Sequence, residues 1–334
     1  MPTIPNMNGA TFASPILAVI TYANDGNRAT EEAFAAFLVK SNWLSTVGPE
    51  YGIGLGSSVD VELTAAAPGS IDDNGIQTEL ASLITGGTAT SPLDSTIFMI
   101  FFPGTTSVSA NGQVVCSFAT GYHAESQASG NDFAYAVIPD CQAGQSGELA
   151  ALESAASHEF FEGATDPFPS DSPGWVITDT SNPWHALGGE IADLCASVLP
   201  EWSEGGYSEI ARMYSNEAAQ AGGDPCLPAI GTYFATDVEP STVPEVTAGS
   251  QATFQVTGWS TAPLAPWELQ AVPYGGTFTP TLSLTANSIG NAGTATLTVG
   301  VPAGTNSGDY AVIQVGSVDP ANDQSSTFVG VAVP

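Results

Sequence analysis

The chain has 334 residues, enough for two domains with separate cores, and 43% of it is hydrophobic, including 15 Phe, 9 Tyr and 6 Trp, which excludes a disordered acidic tail. Acidic residues number 34 against three basic ones (Arg28, Lys40, Arg212), a formal net charge of −31. With no basic patch to neutralise phosphates, nucleic acids and anionic membranes are excluded as partners. Near pH 2 the carboxylates are neutral and only about +7 of charge remains, so self-repulsion in acid is weak. The composition therefore predicts better tolerance of acid than of mild alkali.

In chain order, the opening Met1-Pro2-Thr3-Ile4-Pro5 has no basic n-region, and the apolar run 15–22 is too short to span a bilayer. No membrane insertion is expected, and a secreted protein would have had its signal removed. The run 15–22 reads as a first core strand. Further strands are predicted at 59–65, 96–103, 114–120 and 133–138, with helices at about 30–44 and 74–85. A longer helix follows from Gly147, with apolar residues at 149, 152, 156 and 160, and ends near Gly163 and Asp166-Pro167. This order predicts an α/β (α+β) domain over 1–228, a mixed sheet with helices packed on it. Loops rich in Pro, Trp and Ser occupy 166–204, and a helix is expected near 206–220. Beyond 228 there is no Cys, His, Lys or Arg, and short alternating strands recur every 8–12 residues. Residues 229–334 therefore read as an all-β immunoglobulin-like sandwich, an accessory domain suited to an extracellular polymer or surface.

The four Cys include no C-x-x-C pair. Their even number in a polar, Gly/Ser/Thr-rich chain points to disulfides and a secreted, extracellular location. Chain order favours Cys116–Cys141 and Cys195–Cys226 among three pairings.

The chemistry concentrates in His158-Glu159-Phe160-Phe161-Glu162. On a helix, His158 and Glu162 lie one turn apart on one face and can grip one divalent metal. Glu159, at the edge of that face, is placed to take a proton from an attacking water as catalytic base. The plain alternative is a surface helix with two solvated carboxylates. A third ligand has three candidates: Asp166, eight residues on from His158; His185 in the loop 182–185; and Glu190, one helical turn from Asp193. Glu190 is favoured, with Asp193 supporting the imidazole of His158 and Asp166 in a similar outer role. Taken alone, 190–193 also reads as an acidic helix start. His123 reads as a buried structural residue, with a site-lining role for it and His185 as the alternative. Zinc suits this oxygen-rich set best, with calcium or manganese possible. Because a His ligand must be neutral, zinc implies work at about pH 5–7 rather than in strong acid.

A helix bearing His-Glu with a later Glu-x-x-Asp segment resembles the gluzincin branch of the zincin metallopeptidases. That resemblance implies a mixed sheet over the active-site helix, His158 as zinc ligand, Glu159 as general base, Glu190 as third ligand and Asp193 as its support. Glu162 stands where those enzymes carry a second His, a HExxE variant. Separately, Cys116 to Cys141 with Gly121-Tyr122-His123, Phe133-Ala134-Tyr135 and Ser157-His158-Glu159 through Thr165-Asp166-Pro167 resemble bacterial relatives of the plant phosphate-induced (Exordium-like) extracellular proteins over roughly the first 230 residues. The expected function is a secreted metal-dependent peptidase acting on a protein or peptide substrate. The alternatives are a non-catalytic extracellular binding protein with a structural metal site, and a metal-free acid hydrolase pairing Glu159 with Asp193 or Glu190. No G-x-S-x-G, G-x-G-x-x-G or G-x-x-x-x-G-K-[ST] segment occurs, which disfavours serine hydrolases and nucleotide binding.

Overall fold

The apolar run 96–102 becomes a strand in which every residue is buried, as required at the centre of a sheet covered on both faces. A computed structural model describes residues 1–334. Its contacts divide the chain into an α/β unit, Asn6–Val176 with Glu201–Met213, and a second unit, Met1–Pro5, Ile177–Pro200 and Tyr214–Pro334. The division is not a single cut at 228, because 177–200 and 214–228 group with the sandwich strands.

The α/β unit is built on β1 (Ile16–Thr21), β2 (Ser57–Glu62), β3 (Thr96–Phe102), β4 (Tyr122–Ala128) and β5 (Asn131–Pro139) in the order β2-β1-β3-β5-β4. The first four in that order run parallel, and β4 is antiparallel at the edge, which makes the sheet mixed as expected. One face carries Ala18, Ile20, Phe98, Ile100, Phe133 and Tyr135, packed with Ile76 and Leu80 of α3 (Asp73–Thr85). The helix with the His-Glu motif, α4 (Glu148–Thr165), packs against β5, β4 and β3, and also meets α1 (Arg28–Leu38). From Ala155 to Thr165 only His158 of α4 is not fully buried. The second half of α4, which carries the motif, therefore belongs to the core and is not the surface helix of the plain alternative.

Three local expectations change. The helix foreseen at 30–44 breaks after Leu38, and a second, α2 (Asn42–Val47), starts where the Ser41 hydroxyl accepts the Leu44 N–H at 3.1 Å. In place of a strand at 114–120, a 3₁₀ turn forms at Val115–Ser117, with Cys116 bonded to Cys141. The helix near 206–220 forms only over Asn216–Gln220; ahead of it, β6 (Trp202–Glu204) and β7 (Tyr207–Ile210) make a hairpin. Gly205 and Gly206, at φ +68° and +98°, supply the left-handed turn that a two-residue hairpin loop needs.

The second unit is a β-sandwich. Its two four-stranded antiparallel sheets are β8 (Phe234–Glu239), β9 (Gln251–Ser260), β13 (Thr294–Gly300) and β11 (Thr281–Leu284), facing β12 (Ser288–Ile289), β10 (Trp267–Gly276), β14 (Tyr310–Val318) and β15 (Gln324–Ala332). Alternating residues such as Phe254, Val256, Leu297, Val299, Ile313 and Val315 point inward around Trp267. Each such side chain contributes about 1.5–3 kcal/mol by leaving water. Both disulfides form as chain order favoured, Cys116–Cys141 and Cys195–Cys226. No helix is long and apolar enough to cross a membrane.

Candidate metal centre

Two buried carboxylates on one helix need compensation, because a desolvated charge is costly unless it is paired or bound to a metal. Glu159 is 6% exposed and Glu162 is 3% exposed. The compensation comes from two imidazoles. His158 Nε2 lies 3.2 Å from Glu162 Oε1, the i,i+4 contact anticipated from the sequence. The other oxygen, Oε2, faces His123 Nδ1 at 3.6 Å, and Glu159 Oε2 is also 3.6 Å from that nitrogen. His123 therefore belongs to the centre, beyond the structural or lining role expected of it. It stands on β4, the edge strand that α4 packs against.

The far side of the His123 ring fixes its chemistry. Nε2 sits 3.2 Å from the backbone carbonyl of Asp166. A carbonyl can only accept, so Nε2 carries a hydrogen, and Nδ1 faces the two carboxylates, donating to them when the ring is charged and offering a lone pair when it is neutral. Asp166 thus acts through its backbone. Its side chain, fully buried, accepts the Gly174 N–H at 2.8 Å through Oδ1 and holds the chain after the helix. Burial alone would raise the Glu162 carboxyl, but the charge of His158 and the polar contacts of both rings outweigh it and hold Glu162 well below the usual carboxylate range.

Neighbouring backbone leaves room for this arrangement. A Cβ on Gly121 would stand 2.9 Å from Glu159 Cγ and 3.1 Å from its Oε1, so only glycine lets β4 approach Glu159 this closely. The 201–213 return braces the other side of α4. Ser157 Oγ accepts the Ala211 N–H at 2.9 Å, and Glu153 Oε2 accepts the Ser208 and Glu209 N–H groups at 2.8 and 3.2 Å. The same return brings in Glu201. Its Oε1 accepts from Ser154 Oγ at 2.8 Å, and burial raises its carboxyl while the charge of His158 works the other way.

The donor set fits a metal. In a tetrahedral shell with bonds of roughly 2.0–2.2 Å, neighbouring donors stand roughly 3.3–3.6 Å apart. The imidazole–carboxylate separations of 3.2 and 3.6 Å bracket that edge. At 3.6 Å they exceed the roughly 2.7–2.9 Å of a charge-assisted hydrogen bond. His123 Nδ1, His158 Nε2 and Glu162 are the natural ligands, with Glu159 beside them. The second imidazole that the helix lacks at position 162 is thus supplied by a strand.

Glu190, Asp193 and His185 belong to the sandwich unit. There Asp193 Oδ2 accepts the Glu190 N–H at 3.2 Å, and the Glu190 carbonyl accepts the Leu194 N–H at 3.4 Å, so the two acids share one turn, as their spacing predicts. Gly188, at φ +118°, lies directly against the Asp193 carboxylate. His185 sits on a 3₁₀ turn, Pro183–Leu187, capped by Asn182.

Sequence reasoning gave His123 at most a lining role and missed its approach to Glu159 and Glu162, because Tyr122–Ala128 reads as a polar stretch rather than a strand. Tyr122-His123 after Gly121 was the available signal. Glu201 had no signal at all.

No family model and no curated protein matches this chain. Among solved structures, the chain is similar to domains 4 and 5 of the S-layer protein SbsC at 21% identity, covering 31% of this chain and 54% of that one, with a TM-score of 0.23. A Caenorhabditis elegans MSP family member, WR4, matches at 16% identity over 30% of this chain and 97% of its own, TM-score 0.22. The archaellum periplasmic stator protein FlaG from Sulfolobus acidocaldarius matches at 14% identity over 29% and 99%, TM-score 0.19. The chain spans about half of the S-layer fragment.

Proposed function

We propose that this chain is a secreted, metal-dependent hydrolase of peptide bonds on a zincin-like plan, with zinc as the favoured ion. The observation that carries this reading is the meeting of His123 Nδ1, His158 Nε2 and the Glu162 carboxylate around Glu159 in an otherwise buried region. A bound divalent metal would supply Lewis-acid polarisation of the scissile carbonyl and acidify a water. The protein's own residues do the rest. With a metal in place of the protons that otherwise face Glu162, His123 and His158 would present nitrogen lone pairs, His123 being oriented by the Asp166 carbonyl. Glu162 contributes negative charge that stays ionised. Glu159 Oε2 takes the proton from the attacking water and returns it to the leaving amine. His158, 20% exposed at its side chain, marks the side from which a substrate enters. Glu190 and Asp193 enter the proposal on their sequence pattern, and the metal content of Glu190→Gln tests that assignment. The two disulfides support an oxidising, extracellular setting, and the sandwich suits attachment to a surface or polymer.

The burial of Glu159 favours a second reading, a structural metal site without catalysis. One experiment separates them. Metal content and peptide hydrolysis are measured for the wild type, Glu159→Gln and His158→Ala. The catalytic reading expects Glu159→Gln to keep its metal and lose about 10²–10⁴-fold in rate, and His158→Ala to lose both. Metal bound by the wild type without hydrolysis of any peptide supports the structural site; a wild type without metal sinks both.

A further inference from the structure

The outer face of one sandwich sheet is less polar than a solvated face needs to be. Leu269 and Ala271 of β10 and Ala311, Ile313 and Val315 of β14 pack into the core, so Val272, Tyr310 and Val312 stand on the opposite face. Tyr274 belongs to that face too. Its ring meets Phe328 edge-on at 5.0 Å, and Phe328 alternates on β15 with the core residue Val329. Val272, Tyr274 and Tyr310 are 42%, 46% and 44% exposed. Apolar groups left in water singly are ordinary, but several gathered on one face mark a binding surface.

Beside Tyr310 the face sinks into a depression of about 530 Å³. Its floor is Val312, Gly330 and Ala332, which the register places on neighbouring strands, and its wall is the 3₁₀ turn with Asn182, Pro183 and His185. A Cβ on Gly330 would stand 3.0 Å from Val243 Cγ2 and 3.4 Å from Pro183 Cγ, so glycine lets this wall settle close to the strand. Thr277 fixes the backbone of Tyr310: its N–H donates to the Tyr310 carbonyl at 2.8 Å, and its hydroxyl accepts the Tyr310 N–H at 3.0 Å. Asn182 Oδ1 accepts the Trp184 N–H at 3.1 Å, and the amide nitrogen keeps its donors for a ligand. Thr180 and Ser181 add hydroxyls at the rim.

Charge decides what fits. No Asp, Glu, Lys or Arg lines this depression, whereas the larger one nearby is lined by Asp179, Asp237, Glu239 and Glu245. A cationic partner finds no carboxylate here, and a polyanion is repelled by the net charge of −31. The complementary occupant is uncharged. A lipid tail would leave the Asn182 donors and the hydroxyls unpaired. A sugar ring, apolar on its C–H face and hydroxylated around its edge, satisfies both the tyrosine ring and the polar wall.

We propose that this face binds a neutral polysaccharide, with one sugar stacked on Tyr310 over Val312 and Gly330, its hydroxyls bonded by Asn182, and the chain continuing over Tyr274. The site extends the proposed attachment of the sandwich to a polymer and is independent of the imidazole centre.

The test is retention of the full chain on microcrystalline cellulose, chitin, insoluble β-1,3-glucan and starch, each in low and high salt. Saturable retention on at least one of them, equal at both salt levels, is expected. Tyr310→Ala should weaken it at least about tenfold, and Tyr310→Phe should preserve it, because the ring rather than the hydroxyl makes the stack. Asn182→Asp keeps the acceptor that caps Trp184 but loses the amide donors, and should weaken retention as well. Phe118→Ala, at an aromatic residue 55% exposed in the α/β unit, controls for general adsorption and should change nothing. Thermal melting shows that each variant folds; if Tyr310→Ala does not, Tyr274→Ala decides. Retention on none of the polymers overturns the site. So does retention that high salt abolishes, that Tyr310→Ala keeps, or that Phe118→Ala weakens equally. Metal content and peptide hydrolysis of the same preparations report on the imidazole centre separately.

Discussion

The α/β unit and the sandwich strands bury different kinds of polar groups. The α/β unit encloses Glu31, Asp140, Glu153, Glu159, Glu162 and Asp166, all less than a tenth exposed, whereas the sandwich strands from Phe234 onward enclose only the hydroxyl residues Thr236, Ser317, Ser325, Ser326 and Thr327. A hydroxyl is satisfied by one backbone carbonyl, as when Ser325 donates to Phe234 and Thr327 to Thr236. A buried carboxylate needs a cation, a proton or several donors. The interior of the sandwich is therefore apolar packing, with hydroxyls such as those of Ser325 and Thr327 closed on backbone carbonyls, and it holds no charged group. The α/β unit carries the desolvation cost of its charged groups, the pattern that the proposed function explains.

That contrast can be broken most directly at the imidazole contributed by the edge strand. His123→Ala should lower metal affinity by more than about 100-fold, the upper end for outer partners of a ligand, while His185→Ala leaves it unchanged; competition with a chromogenic chelator reads both. Equal effects would mean that the chemistry is not confined to the α/β unit. Gly121→Ala probes the same wall more gently. Its methyl group displaces Glu159 and should cost about 10²-fold in rate with metal content retained, measured by peptide hydrolysis and elemental analysis.

For the sandwich the reverse is expected. Leu297→Ala, at a fully buried position, should cost about 2–5 kcal/mol in denaturant unfolding with no change in metal content. The smallest effect expected is on the pH dependence of stability. Glu31, desolvated by burial, binds its proton more tightly folded, at about 9, than its ordinary value of 4.5, so the folded state is favoured below about 4.5 and loses that advantage as pH rises toward 9. Glu162, held low, acts oppositely: its contribution is present above the ordinary carboxylate value and lost as pH falls through its folded value. Melting temperature should thus decline between pH 5 and 9, in line with the composition, and Glu31→Gln should flatten the decline. A wild-type curve that rises through that range would contradict the assignment.

Much of this molecule follows from local pattern. The period of 3.6 placed α4, and its end at Thr165 was readable from Gly163 and Asp166-Pro167. Because His158 and Glu162 are one turn apart on one helix, their contact needed no knowledge of the rest of the chain. Strict alternation announced the sandwich strands, and the short separations of the cysteines favoured the pairing that forms. Two-residue glycine turns were legible in principle at Gly205-Gly206, yet helix-forming residues downstream obscured the hairpin there.

What the sequence by itself determined is therefore the set of elements and one half of the candidate site. Only the tertiary structure decided the other half. His123 reaches Glu162 because a polar, unannounced strand pairs at the sheet edge beside α4. The physical reason is the range of the forces involved. Helical contacts repeat every three or four residues, whereas strand pairing joins positions distant in the chain, through burial that no local pattern encodes.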